Sequence, residues 1–216
     1  MPVNIIITAF FELLAIMAGL YCWKELSLPY RFLLVQVVLA IIFEITGWAI
    51  NKFLFVNNLW LFNIYVIIEV WLLGLVCSMF ITTKKIKTLI RLLLVLITIG
   101  WIAGVIVKGF FEFNNWVVVA MAIFCVVFYM IALFNSSIFG HKKVLAQPFF
   151  LVAIAIIIYY ATIIPLIGLM NQLVRDNLYI ANRLFKINAS VAILRYALIA
   201  IAFYLYGRQA KRAHVA

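Results

Sequence analysis

Apolar runs of about 20 residues recur along the whole chain, at roughly 3–22, 31–50, 59–82, 88–107, 115–134, 148–170 and 187–207. At about 1.5 Å of rise per residue, each is long enough to cross the hydrocarbon core of a bilayer as an α-helix. A segment in lipid must satisfy its own backbone hydrogen bonds, and a helix does so internally. Seven such runs joined by short connections predict an all-α polytopic membrane protein, a seven-transmembrane-helix bundle forming one domain over residues 1–216. Composition agrees, since 69% of the residues are hydrophobic and 11% charged, against about a quarter charged in soluble domains. The N-terminal run has no basic residue before Lys24, and Gly19-Leu-Tyr-Cys22 makes a poor cleavage site. It reads as a retained span, not a signal peptide.

Charge orients the spans. With the N-terminus outside, the inner loops and tail hold Lys24, Arg31, Lys84, Lys85, Lys87, Arg91, Lys142, Lys143, Arg208, Lys211 and Arg212. The outer side holds Lys52, Lys108, Arg175, Arg183 and Lys186. Eleven cations against five favour N-out and C-in. Trp48, Trp60 and Trp116 then fall near the outer interface, with Trp23 and Tyr206 near the inner one, as interfacial anchors do. The net charge of +11 is explained by this bias, and no soluble scaffold for reading nucleic acid accompanies it. The segment 171–186 reads as an outer connector with room for a short surface helix, apolar at Leu178, Ala181, Leu184 and Phe185. Arg175, Asp176, Asn182 and Arg183 lie elsewhere on it. It serves as a plain connector or as a lid over an outward-facing cavity.

Four ionisable residues interrupt the apolar runs. Counted from the outer ends at 1.5 Å per residue, Arg195 lies roughly 12 Å deep and Glu12, Glu44 and Glu69 roughly 14, 9 and 15 Å. A lone charge at that depth costs at least about 2.5–3.5 kcal/mol. Four at one depth predict mutual compensation, with Arg195 turned into the bundle and bonded to one or two glutamates, Glu69 first. Tyr65 is four residues from Glu69, and Asn188 is seven from Arg195, as Asn51 is from Glu44, so each pair shares a helical face. Asn63, Gln36, Tyr159 and Tyr160 add donors and acceptors. Pro165, followed by Gly168, is expected to kink the sixth span and free carbonyls. Glu12, Glu44, Glu69, Arg195, Asn63, Tyr65, Tyr160 and Asn188 therefore form the candidate ligand or ion pocket. Three carboxylates against one guanidinium leave −2. Either one or two glutamates are protonated in apolar surroundings, a cation or cationic ligand supplies the charge, or the residues form a structural network that sets helix registry.

Catalytic and cofactor motifs are lacking. Cys22, Cys77 and Cys125 are scattered in apolar sequence without a CxxC pair, and read as small hydrophobes. His141 and His214 lie in a loop and the tail, with no HxxxH or HExxH for a metal. A retinal protein needs a lysine midway along the seventh span, where Arg195 stands and cannot form a Schiff base. Lysoplasmalogenase-type hydrolases rely on intramembrane aspartates, whereas Asp176 is the sole aspartate and falls in the outer connector. No GxSxG and no P-loop is present.

Glu12, Glu44-Ile-Thr-Gly47, Asn58-Leu-Trp-Leu-Phe-Asn-Ile-Tyr65, Leu133-Phe-Asn-Ser136, Pro148-Phe-Phe150, Tyr160 and Pro165 together resemble a family of small, uncharacterised bacterial seven-span proteins. The resemblance covers nearly the whole chain. It implies a sensor or accessory component of signalling in the bacterial inner membrane, with no established chemistry. Members do not all carry Glu69.

A receptor-like sensor is the leading expectation. Without a cytoplasmic effector domain it would signal through a membrane or cytoplasmic partner, contacted by the basic segments 84–91 and 141–143, unless these meet only anionic membrane lipids. A small transporter or proton-coupled carrier is the alternative, favoured by three deep glutamates. It is disfavoured by the absence of an inverted repeat and by a span count that does not halve. An intramembrane lipid-modifying enzyme comes third. Ligand, partner and oligomeric state stay open at this level.

Overall fold

The computed structural model describes residues 3–112, 114–136, 144–176 and 178–215, with side chains described except at 3–4, 169–176, 178–182, 185 and 213–215. The helices are α1 (Val3–Tyr21), α2 (Leu28–Ala49), α3 (Leu59–Phe80), α4 (Lys84–Lys108), α5 (Asn115–Asn135), α6 (Pro148–Asp176) and α7 (Leu178–Val215). A π-helical turn, Ile50–Leu54, extends α2, and a 3-10 turn, Val144–Ala146, precedes α6. Among the described residues, six helices are long and apolar enough to cross a membrane, and Ile5–Tyr21 is a shorter apolar helix. The protein is a multi-pass membrane protein.

Pro29 stands in the first turn of α2, where its missing N–H is not needed, and Ser27 precedes the helix in extended conformation. Pro148 likewise opens α6. The π-helical turn ends at Phe55, whose φ of 54° is left-handed. Phe53, Leu54 and Phe55 are exposed there. Lys52 Nζ lies 4.9 Å from the Trp48 ring centroid, a cation–π contact that suits an aromatic interfacial belt.

Six helices close a ring in the order α1, α2, α3, α5, α6, α7, and α4 packs outside the seam between α3 and α5. Its position follows from its sequence. Only Ile90 and Leu94 of α4 are buried, while Leu92, Leu96, Ile99, Ile102 and Ile106 stay exposed. Such a helix is stable where its surroundings are apolar. Behind α4, Tyr129 Oη of α5 donates to the Leu73 carbonyl of α3 at 3.0 Å, and Cys77 Sγ donates to the Phe128 carbonyl at 3.3 Å. The ring interior between them is filled by Val70, Leu73, Val76, Cys125, Val152, Ala153 and Ile156.

At one end of the bundle, Tyr30 at the start of α2 touches Phe80 at the end of α3 and Tyr206 near the end of α7, with centroids 5.7 and 4.3 Å away. Phe80 stacks on Phe149 at the start of α6 at 3.8 Å. Neighbouring helices in the chain thus alternate in direction, and the end of α7 meets the end of α1. Tyr206, expected as an interfacial anchor, is half-buried against Tyr30.

Gly207 marks the α1–α7 contact. A Cβ there would collide with Cys22 Sγ, so glycine is what lets the two helices approach this closely. Gly207→Val overpacks the junction and should cost about 1–3 kcal/mol. Thermal unfolding in detergent checks this, and Cys22→Ala added to Gly207→Val should recover part of the loss.

The segment 171–186 is not a loop carrying a separate short helix. α6 runs on to Asp176 and α7 starts at Leu178, so the two spans extend beyond the apolar stretch as helices. Hydropathy ends where the polar residues begin, but a helix does not. The expected apolar face of Leu178, Ala181 and Phe185, and the residues Arg175, Asp176, Asn182, His141, Lys142 and Lys143, lie outside what is described of side chains or backbone. α6 is continuous through Pro165.

Candidate functional site

Glu69 sits in the middle of α3 on the face that also carries Val70, Leu73 and Val76 into the ring. Arg195 sits midway along α7. The two meet across the ring, with Arg195 Nη2 donating to Glu69 Oε1 at 2.8 Å. Arg195 is 1% exposed and is among the largest fully buried side chains of the described residues. A buried charge is tolerated when it is paired and hydrogen-bonded, and costly otherwise.

The same Glu69 oxygen accepts a second hydrogen bond from Gln36 Nε2 of α2 at 3.0 Å. Gln36 Nε2 also donates to Tyr65 Oη at 3.0 Å, so α2, α3 and α7 are joined through one carboxylate. Around the guanidinium, the ring centroids of Tyr159, Tyr160 and Tyr196 lie 4.6, 5.4 and 5.4 Å from Arg195 Cζ. These distances are within cation–π range. The tyrosine faces spread the positive charge where no second carboxylate touches it.

Glu12 and Glu44 form a separate subsite. Glu12 of α1 is 1% exposed and lies beside the Glu44 carboxyl of α2 and the Tyr196 side chain. Glu44 is half-buried. Tyr196 therefore stands between the two subsites, flanking Arg195 on one side and Glu12 on the other. The expectation that Arg195 reaches a carboxylate is met by Glu69; the other two glutamates pair with each other. Four buried polar atoms around these subsites have no hydrogen-bond partner among the described residues: Glu12 Oε2, Gln36 Oε1, Tyr160 Oη and Arg195 Nε.

Asn63 does not contribute to this centre. Its Nδ2 donates to the carbonyls of Phe110 and Glu112 at 3.0 and 2.8 Å, and its Oδ1 accepts from the Asn114 N–H at 3.5 Å. Trp101 Nε1 donates to the Asn63 carbonyl at 3.0 Å. Asn63 is a clamp that holds the α4–α5 connection against α3. Asn188 is half-buried with a buried Oδ1 that has no partner among the described residues, seven residues before Arg195 on the same helix. Gln36 turns out to be the shared donor of the centre, and Tyr196 and Trp101 carry roles that the sequence reading did not give them. Tyr196 had a signal, since the residue beside a buried arginine necessarily lies near its flank.

Among the described residues no group of three or more His, Cys, Asp and Glu side chains gathers as metal ligands. Compared with protein-family models, with curated proteins and with solved structures, the chain matches none.

Proposed function

We propose that this chain is a seven-span protein of a bacterial inner membrane, N-out and C-in, and that it works as a receptor-like sensor signalling through a partner. One observation carries the proposal. Arg195, fixed across the ring to Glu69, lies on a helix of 38 residues that is about 57 Å long at 1.5 Å per residue. Such a rod crosses the bilayer and emerges with its basic end, Arg208–Arg212, at the proposed inner face. A ligand, ion or proton that alters the charge balance at Glu12, Glu44, Glu69 and Arg195 acts on α7 directly, and the rod carries the change to the inner surface. The unpartnered Glu12 Oε2, Tyr160 Oη and Arg195 Nε are the groups that an entering polar ligand would meet.

Affinity capture from native membranes tests this. The wild-type protein should enrich a specific partner, and Arg195→Leu or Glu44→Gln should reduce that enrichment at least about tenfold, the equivalent of about 1.4 kcal/mol of coupling. If both variants, shown to be folded, capture the partner as well as wild type does, the centre does not govern signalling.

The Glu12–Glu44 carboxyl neighbours favour a second reading, a proton-coupled carrier. Uptake into proteoliposomes that follows a pH gradient and is abolished by Glu44→Gln would establish it in place of the sensor.

A further inference from the structure

A groove of about 520 Å³ opens between α1 and α7 at the end where the two helices terminate, lined by Tyr21, Cys22, Tyr204, Gly207, Arg208, Lys211 and Arg212. It is far from the charged centre along both helices. Cys22 and Gly207 meet at its floor, and the Lys211 ammonium lies 4.6 Å from the Tyr21 ring centroid. Arg208, Lys211 and Arg212 are exposed. Lys24 is exposed nearby in the turn after α1, and Glu25 is half-buried in the same turn. Four cations against one carboxylate leave the rim at +3.

Along their exposed faces α1 passes from an apolar strip to a tyrosine, and α7 from an apolar strip to a tyrosine and then to cations. On α1, Leu13, Met17 and Leu20 are exposed, followed by Tyr21. On α7, Leu194, Ile201 and Tyr204 are exposed, followed by Arg208, Lys211 and Arg212. Residues 201, 204, 208 and 211 recur at intervals of three and four, so they lie on one helical face. An apolar strip, a tyrosine level and a cationic rim therefore succeed one another along the membrane axis. This order matches acyl chains, interface and phosphate in a phospholipid.

We propose that the α1–α7 groove is a binding site for one anionic phospholipid, its phosphate held by Arg208, Lys211 and Arg212 and its chains laid along Met17, Leu20 and Ile201. Charge complementarity and the apolar strip select this occupant. A soluble phosphate has no use for the strip, and a zwitterionic lipid gains little from a rim of +3. Each basic residue near an anionic surface contributes enough that losing three should weaken binding by on the order of a hundredfold. Arg208–Arg212 also ends the rod described above, but lipid binding does not depend on the sensor proposal.

Native mass spectrometry of the detergent-solubilised protein, titrated with phosphatidylglycerol or phosphatidylcholine, tests the site. Wild type should retain one phosphatidylglycerol and little phosphatidylcholine. Arg208→Gln, Lys211→Gln and Arg212→Gln combined should lower phosphatidylglycerol affinity by on the order of a hundredfold, with lipid-free thermal unfolding unchanged. The combination Lys84→Gln, Lys85→Gln and Lys87→Gln removes the same charge at the start of α4 and should leave affinity within about threefold. Four results would overturn the proposal: equal loss from both triple variants, equal retention of both lipids, displacement of the lipid by millimolar inorganic phosphate, or a dimer that the first triple variant dissociates. The last would make a second copy of the chain the occupant.

Discussion

Arg195→Leu should destabilise the protein by about 3–5 kcal/mol, the usual consequence of removing one partner from a buried pair. The loss arises less from the missing 2.8 Å bond than from what stays behind. Glu69, 6% exposed, would be left buried without its cation, keeping the Gln36 amide as its hydrogen-bond donor among the described residues. The three tyrosine rings around the guanidinium would also lose their cation. Arg195→Lys should fall between, because an ammonium can reach Glu69 but cannot match the planar fork that lies against Tyr159 and Tyr160. Denaturation followed in detergent micelles checks both. An unchanged midpoint for Arg195→Leu would mean that the pair holds nothing together.

Asn63→Leu should cost about 2–4 kcal/mol. Two donated bonds at 3.0 and 2.8 Å are lost, each worth about 1 kcal/mol net, and the stranded carbonyls of Phe110 and Glu112 add their own desolvation cost. The damage should be local. Amide exchange at Gly109–Glu112 and Asn114 should accelerate while that of α7 stays slow. Asn63→Asp should be worse than Asn63→Leu, since a carboxylate would face two carbonyl oxygens with no donor between them. Equal exchange across wild type and Asn63→Leu would show that the clamp is not what orders this connection.

Much of this was readable from hydropathy alone. Each apolar run falls on a helix, and six of these helices, among the described residues, are long and apolar enough to cross a membrane while Ile5–Tyr21 is shorter, because a segment in lipid has few alternatives to a helix. Their ends were read less well. α4 begins at Lys84 and α6 continues to Asp176, beyond the apolar limits near 88 and 170, because polar residues propagate a helix as well as apolar ones do outside the membrane. The π-helical turn at Ile50–Leu54 leaves no mark in hydropathy. The Arg195–Glu69 pair was readable because depth is a matter of length: two charges at one level in a narrow bundle have few other partners. The same ruler separates Asn63, which lies four residues into its span and so only about 6 Å deep. Grouping it with Glu69 by polarity overlooked that difference. Which glutamates pair with each other was not readable, since it depends on the rotation of α1 and α2 about their axes, and α2 is apolar almost all round.

The most direct measurement is a double-mutant cycle on unfolding free energy in detergent, with Arg195→Leu, Glu69→Gln and the two combined. If the pair is what ties α7 to α3, the combined variant loses less stability than the two single losses added together, with a coupling energy of about 2–3 kcal/mol. Losses that simply add would contradict a direct interaction between Arg195 and Glu69.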